Sequence, residues 1–143
     1  MDIRQISKEA AWTLRHQVMW PEKPLEYVKL RDDDQGTHWG FYAEDRLVSV
    51  LSLFIERNRA QFRKFATLPE EQGKGFGTRL LRHVMDEARR HGADQIRCNA
   101  RADKAAFYKR FGLIATNQAF EKDGISYVIM ETPVSGNNKE ETS

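Results

Sequence analysis

The stretch "TLPEEQGKGFGTRLLRHVMDEARRHG", Thr67 to Gly92, places glycines at alternate positions, Gly73, Gly75 and Gly77, immediately before a strongly patterned helical run. Pro69 is positioned to end a strand before the loop, and Gly92 to cap the helix after it. No acidic residue occurs between Glu71 and Asp86. A helix N-terminus exposes unpaired N–H groups and a partial positive charge, so it suits an anion. Alternate glycines remove Cβ atoms and let a bulky ligand come close to the backbone. Each hydrogen bond to a charged group contributes ~1.5–3 kcal/mol, so a few such donors hold a pyrophosphate firmly. Leaving Asp and Glu out of the first turn forgoes ~0.3–1 kcal/mol each, which makes sense where an anion takes their place. Lys74 and Arg79 add positive charge. The plainer alternative is a strand-to-helix turn that three glycines merely shape.

Two familiar phosphate motifs do not fit. A P-loop requires G-x-x-x-x-G-K-[ST], and no Gly-Lys-Ser/Thr stands at that spacing. A dinucleotide fingerprint requires G-x-G-x-x-G, but counting from Gly73 or Gly75 puts Thr78 or Leu80 in the last place.

Working outward, Ile3 and Ile6 mark a first strand, and "KEAAWTLRHQVMW" repeats Ala11, Leu14 and Val18 at helical spacing. Pro21 and Pro24 interrupt that pattern, and "LEYVKLRDD" reads as a second short helix. "THWGFYAEDRLVSVLSLFIERNRAQFRKFATL" reads as three antiparallel strands turning at Glu44-Asp45 and Asn58-Arg59. After the glycine loop come a strand, "DQIRCNA", a helix, "DKAAFYKRFG", and a hairpin around Asp123-Gly124. The expected order is β-α-α-β-β-β-α-β-α-β-β. That is an α/β (α+β) fold, a mixed but mostly antiparallel sheet with helices on both faces.

With 143 residues, 40% apolar and 31% charged, the chain suits one soluble domain, expected over residues 1–133. The polar tail 134–143 is expected to be disordered. A net charge of +2 gives no case for nucleic acid. No apolar run reaches membrane-spanning length, and no signal peptide is evident. The single cysteine, Cys98, rules out an internal disulfide and fits a reducing, cytoplasmic setting.

At this point "LPEEQGKGFGTRLL" resembles the acetyl-CoA signature of the GNAT superfamily of N-acyltransferases, Q/R-x-x-G-x-G/A, through Gln72, Gly75 and Gly77. "KAAFYKRFGL" is similar to the second family signature, with Leu113 in place of its final Phe. The element order resembles the family over nearly the whole chain, Met1 to Pro133. More finely, "HWGFY", "NARADKAAFYKRFG" and "FEKDGISYVIM" are similar to the ElaA-like branch. There the last segment commonly reads Glu-Asp-Gly-Ile-Pro-His, from which Ser126 and Tyr127 depart.

The resemblance implies transfer of an acetyl group from acetyl-CoA to an amine of a small molecule or protein, by direct attack in a ternary complex and with no metal. It implies that Phe65, Ala66 and Thr67 lie along the pantetheine arm, the Thr67 N–H polarising the thioester carbonyl. Gln72, Gly73, Lys74, Gly75, Phe76, Gly77 and Thr78 would hold the pyrophosphate, with Asn99, Phe107 and Tyr108 as further cofactor contacts. Tyr108 matches the family tyrosine that protonates the leaving sulfur; its other reading is a core aromatic beside Phe107 and Phe111. A homodimer is left open.

An attacking amine of pKa ~10.4 is neutral in only about one part in a few thousand at pH 7, a gap of roughly 4–5 kcal/mol. A base is therefore expected. The strand before the loop offers Arg63 and Lys64 and no carboxylate, where many family members carry Glu. Three candidates stay open: Glu56 acting through water, Glu121 on the late hairpin, and His38, whose near-neutral pKa suits the work. The other reading of His38, somewhat favoured, is a hydrogen-bonded residue at a strand start. Arg57, Arg63, Arg97 and Arg101 would favour an anionic acceptor, or else face solvent. Cys98 is a nucleophile only beside an activating base and otherwise a core thiol. Trp12, Trp20 and Trp39 are expected to pack, with Trp20 a candidate for the acceptor pocket.

Overall fold

The structure, a computed structural model, describes residues 2–134, and the expected tail disorder lies outside them except at Val134. The elements in chain order are β1 (Ile3–Ile6), α1 (Lys8–Met19), β2 (Thr37–Ala43), β3 (Arg46–Glu56), β4 (Arg59–Thr67), α2 (Phe76–Arg90), β5 (Gln95–Arg101), α3 (Ala105–Lys109), β6 (Ile114–Lys122) and β7 (Ile125–Glu131). Short 3-10 turns occupy Leu25–Val28, Asp33–Gln35, Pro69–Glu71 and Ala102–Lys104. The strands hydrogen-bond in the order β1-β2-β3-β4-β5-β7-β6, a mixed and mostly antiparallel seven-stranded sheet. The chain forms two compact units, one running to Phe54 with Phe62–Glu87, the other Ile55–Gln61 with the chain from Ala88 onward.

In the first unit β3 is buried from Val48 to Leu53 without alternation, the mark of a strand covered on both faces. One face carries α1: His38 pairs in register with Ser52, and both reach the α1 side chain Arg15 through hydrogen bonds. Trp39 and Phe41 point the other way and meet α2, where Trp39 lies 5.3 Å from His83 and Phe41 stacks on Phe76 at 4.8 Å. Leu80, Leu81, Val84 and Met85 form the buried stripe of α2 at helical spacing. Helices on both faces are thus realised within this unit. Glu44 and Asp45 both take positive φ, 51° and 64°, giving the hairpin turn that suits the strand twist.

In the second unit β4 and β5 run parallel, Arg59↔Gln95 to Gln61↔Arg97, while β5, β7 and β6 are antiparallel neighbours. Ile96, Cys98, Ala100, Leu113 and Met130 make its core. Helix α2 ends here at Gly92, φ +91°, with Gly92 N–H to Arg89 O at 3.0 Å and Ala93 N–H to Ala88 O at 3.0 Å. That paired closure is a Schellman cap, and Ala93 is buried beneath it.

Three local expectations give way. "LEYVKLRDD" forms one 3-10 turn at Leu25–Val28 and the first residue of another at Asp33–Gln35, with no continuous helix, because side chains take the backbone groups a helix would pair. Arg15 Nη1 donates to Val28 O at 3.0 Å, and Leu30 N–H donates to Asp33 Oδ2 at 2.8 Å. The turn after β3 sits at Arg57-Asn58, one residue early, with Arg57 at φ 59°. Asn58 is held by Asp94, through Nδ2 to Oδ2 at 2.9 Å and its carbonyl to Asp94 N–H at 2.8 Å. The helix of "DKAAFYKRFG" shortens to α3, with a 3-10 turn before it and Gly112 at φ +88° beyond.

Candidate acyl-transfer site

The glycines of the loop do two different jobs. Gly73 and Gly75 take φ of +81° and +86°, which other residues adopt only at a cost, and a Cβ at either would meet nothing within 4 Å. They bend the chain and leave it open. Gly77 is required for closeness: a Cβ there would stand 3.1 Å from Phe65 Cζ and 3.4 Å from Thr67 Oγ1. The start of α2 therefore lies directly on the end of β4. No acidic side chain enters the first turn of α2, whose Arg79 N–H closes the first bond to Gly75 O at 3.1 Å. The N–H groups ahead of it are left as donors.

The end of β4 is held in place from behind. Buried Ser49 donates to Ala66 O at 3.1 Å and lies 2.8 Å from Thr67 Oγ1. Leu68 N–H donates to Val48 O at 2.9 Å, so by strand alternation the Thr67 N–H projects to the opposite edge. Gln72 reaches back to that edge and donates from Nε2 to Thr67 O at 3.1 Å. The sequence thus brings Phe65, Thr67, Gln72 and Gly77 together. Lys64 takes φ +57° in mid-strand, a conformation uncommon outside glycine and enriched where backbones are shaped for function.

Charges around the loop are paired. Lys74 Nζ lies 2.9 Å from Glu71 Oε1, and Arg46 meets Glu70 at 2.6 Å and Glu71 at 3.7 Å. The Arg46 hydrogen bond holds the Glu70 carboxyl below its ordinary range. Arg79 is drawn over the Phe41 ring, 4.9 Å from its centre. On the other face of the first unit, Arg63 pairs with Asp32 at 3.1 Å and covers the Phe54 ring at 5.0 Å.

His38 is buried on the α1 face with both ring nitrogens engaged. Nε2 lies 3.0 Å from Asp33 O and must donate to that carbonyl, so in the neutral ring Nδ1 accepts from Ser52 Oγ at 2.7 Å. Arg15 in turn donates to Ser52 Oγ at 2.8 Å. The sequence reading of function named His38 but missed the rest of this buried network, Arg15, Asp33 and Ser52. Its available signal was Arg15 itself, a charge four residues after Ala11 on the apolar face of α1.

In the second unit Tyr108 is half-buried, and its ring lies 5.2 Å from that of Phe107, which in turn is 5.1 Å from Phe111. Burial raises the Tyr108 phenol well above 10, the neighbouring Cys98 adds to this, and Arg101 opposes it. The group is therefore a protonated donor at neutral pH. Cys98 is 2% exposed and its thiol is pushed up to about 12 by burial, the state of a core thiol. Asn99, Glu56 and Glu121 are exposed. Trp12 donates to Asp33 at 2.8 Å, Trp20 packs edge-on to Tyr27 at 5.2 Å, and Trp39 donates to Thr37 at 3.0 Å. Among the described residues no group of three His, Cys, Asp or Glu is arranged to hold a metal ion, and no helix is long and apolar enough to cross a membrane.

The sequence matches the family described as "Acetyltransferase (GNAT) domain" over residues 3–133. It is similar to an uncharacterized N-acetyltransferase of Bacillus subtilis (strain 168), YitI, at 24% identity over 140 residues, covering 91% of this chain and 94% of that protein. Among solved structures, Escherichia coli ElaA matches with a TM-score of 0.78 at 19% identity, over 92% of this chain and 98% of that one. A Bacillus subtilis acetyltransferase in complex with CoA matches with a TM-score of 0.68 at 20% identity, over 91% and 96%. At these identities the structural likeness is one of fold.

Proposed function

The chain belongs to the GNAT acetyltransferase family, and from that premise we propose that it moves an acetyl group from acetyl-CoA to a primary amine of a small molecule or protein, by direct attack in a ternary complex. The observation that carries this reading is the loop Gln72–Thr78. Its two left-handed glycines open the chain, and the first turn of α2 has no acidic residue to compete with an anion.

In this reading the N–H groups of Phe76, Gly77 and Thr78, with Gly73, Lys74 and Gly75, hold the diphosphate. Phe65, Ala66 and Thr67 take the pantetheine arm by strand-like pairing, and Gln72 braces Thr67 from the loop side. Asn99 and Phe107 are proposed as further contacts. Bound acetyl-CoA supplies an activated thioester. The Thr67 N–H, turned away from β3, donates to its carbonyl oxygen. Glu56 takes the proton of the attacking amine through water, its exposed carboxylate being able to accept one. His38 does not serve, since its acceptor nitrogen is already bonded to Ser52. Tyr108 gives its proton to the departing sulfur, and burial keeps that proton in place until then. A reducing, cytoplasmic setting is part of this reading, and a chain with one cysteine, Cys98, is compatible with it.

One observation favours a second reading, a non-catalytic acyl-CoA sensor: β4 carries Arg63 and Lys64 and no carboxylate. Release of free thiol from acetyl-CoA across a panel of amines tests the two. Acceptor-dependent release is the expected result. Binding of acetyl-CoA with no release for any amine would establish the sensor.

A further inference from the structure

Four charged side chains beside the glycine loop, Arg46, Glu70, Glu71 and Lys74, sum to zero and contact one another. The two members of the pair nearest the helix start differ in freedom. Glu71 is 16% exposed, while Lys74 is 53% exposed. Lys74 also stands between Gly73 and Gly75, and apart from each glycine's own chain neighbours nothing lies within 4 Å of where their Cβ atoms would be. The carboxylate is the more buried partner and the ammonium the more exposed one.

We propose that Glu71 is an exchangeable counter-ion for Lys74, which leaves it for the diphosphate of CoA and returns when product departs, so that Glu71 sets how readily the loop releases its anion. This rests on the reading of the loop as the diphosphate site. An anion arriving at the start of α2 either draws Lys74 away from Glu71 or tolerates the Glu71 charge close by. Both routes subtract from affinity. Arg46, already 3.7 Å from Glu71 while Lys74 is paired, gives the carboxylate a second cationic neighbour when Lys74 leaves. Glu71 is the nearest acid in the sequence before a helix start that has none of its own. The opposite role, a brace that shapes the loop for binding, predicts the opposite sign.

The test is calorimetry and stopped-flow release of CoA with the full chain. Glu71→Gln keeps an acceptor for Lys74 but removes the charge, and should tighten CoA by about three- to tenfold, mostly through slower release. It should also steepen the dependence of affinity on salt, because Lys74 then meets the anion without a competing carboxylate. Lys74→Met should weaken CoA binding by a larger factor in the Glu71→Gln background than in the wild type. That coupling remains readable if Glu71→Gln alters the thermal midpoint. Equal or weaker binding by Glu71→Gln, in a protein whose wild type binds CoA, overturns the exchange and leaves the loop assignment standing. A wild type that binds no CoA overturns both.

Discussion

The Arg15 guanidinium meets the Asp33 carboxylate end-on, Nη1 at 2.9 Å from Oδ2 and Nη2 at 3.0 Å from Oδ1, with side chains 0% and 2% exposed. This pair is buried within the first unit. Trp12 and the Leu30 N–H also donate to Asp33, and Arg15 also donates to Val28 O and Ser52 Oγ. One ion pair therefore ties α1, the 3-10 turns Leu25–Val28 and Asp33–Gln35, and β3 together. Removing one partner of such a buried pair leaves the other charged and uncompensated, at a cost of about 3–5 kcal/mol. Asp33→Asn should lower stability by that amount in urea denaturation. A loss below about 1 kcal/mol would mean that the network is not the tie described.

The same carboxylate predicts a pH dependence. Burial alone would raise its pKa, but hydrogen bonds from Arg15, Trp12 and Leu30 override this and hold it at about 2, against an ordinary 3.8. A depressed carboxylate stabilises the fold above its unfolded pKa and ceases to do so as pH falls through the folded one. Asp33 should thus contribute about 2 kcal/mol that is intact above pH ~5 and lost between about pH 4 and 2. Denaturation midpoints across that window should fall for the wild type, and the part owed to Asp33 should be missing in Asp33→Asn.

Gly75 lies in the left-handed region at φ +86° with open space around it. Gly75→Ala should therefore cost about 1–2 kcal/mol of backbone strain and no steric clash with the protein. Asp tolerates this conformation better than Ala, so Gly75→Asp should be no less stable. It should nonetheless weaken CoA binding at least about tenfold, because its charge faces the anion's. Calorimetry showing unchanged affinity for Gly75→Asp would mean that the loop holds something else.

Tyr108→Phe removes a proton donor and little packing. Turnover should fall by about 10²-fold or more, the ordinary scale of a lost general acid, with CoA affinity within about twofold of wild type. Because burial raises the phenol above 10, no loss of rate from its ionisation should occur below pH 10. Equal turnover in the variant would remove the acid role.

The glycine bends of the loop, the turns at Glu44-Asp45 and Asp123-Gly124 and the Gly92 cap were legible because each depends on a local requirement, whereas the turn after β3 was placed one residue late. Gly73 and Gly75 need positive φ, Asp123-Gly124 needs it twice, and Gly92 closes a helix on its own carbonyls. The segment from Leu25 to Asp33 was misread for the complementary reason. Its pattern is helical, but Arg15 and Asp33 capture Val28 O and Leu30 N–H from residues outside any local window. Lys64 is similar, since nothing in "FRKFATL" marks a lysine for φ +57°. His38 was legible as a residue of consequence. What its nitrogens touch was not, because Ser52 and Asp33 reach it only through the folded sheet.

That geometry separates the candidate bases by experiment. His38→Ala leaves Ser52 Oγ without its acceptor and Asp33 O without its donor, both in a buried setting. It should lower stability by about 1–3 kcal/mol, with kcat per folded molecule within a fewfold of wild type. Glu56→Gln, at an exposed position, should change stability by less than about 0.5 kcal/mol. Its effect should instead appear in kcat, as a loss of about 10²-fold that lessens as pH rises and more acceptor amine is neutral. The sign follows from the amine: with pKa ~10.4, each pH unit below that value cuts the neutral fraction about tenfold, so a missing base matters most at low pH. The reverse outcome, with turnover lost in His38→Ala at full folding and kept in Glu56→Gln, would require His38 to give up Ser52 and act as the base itself.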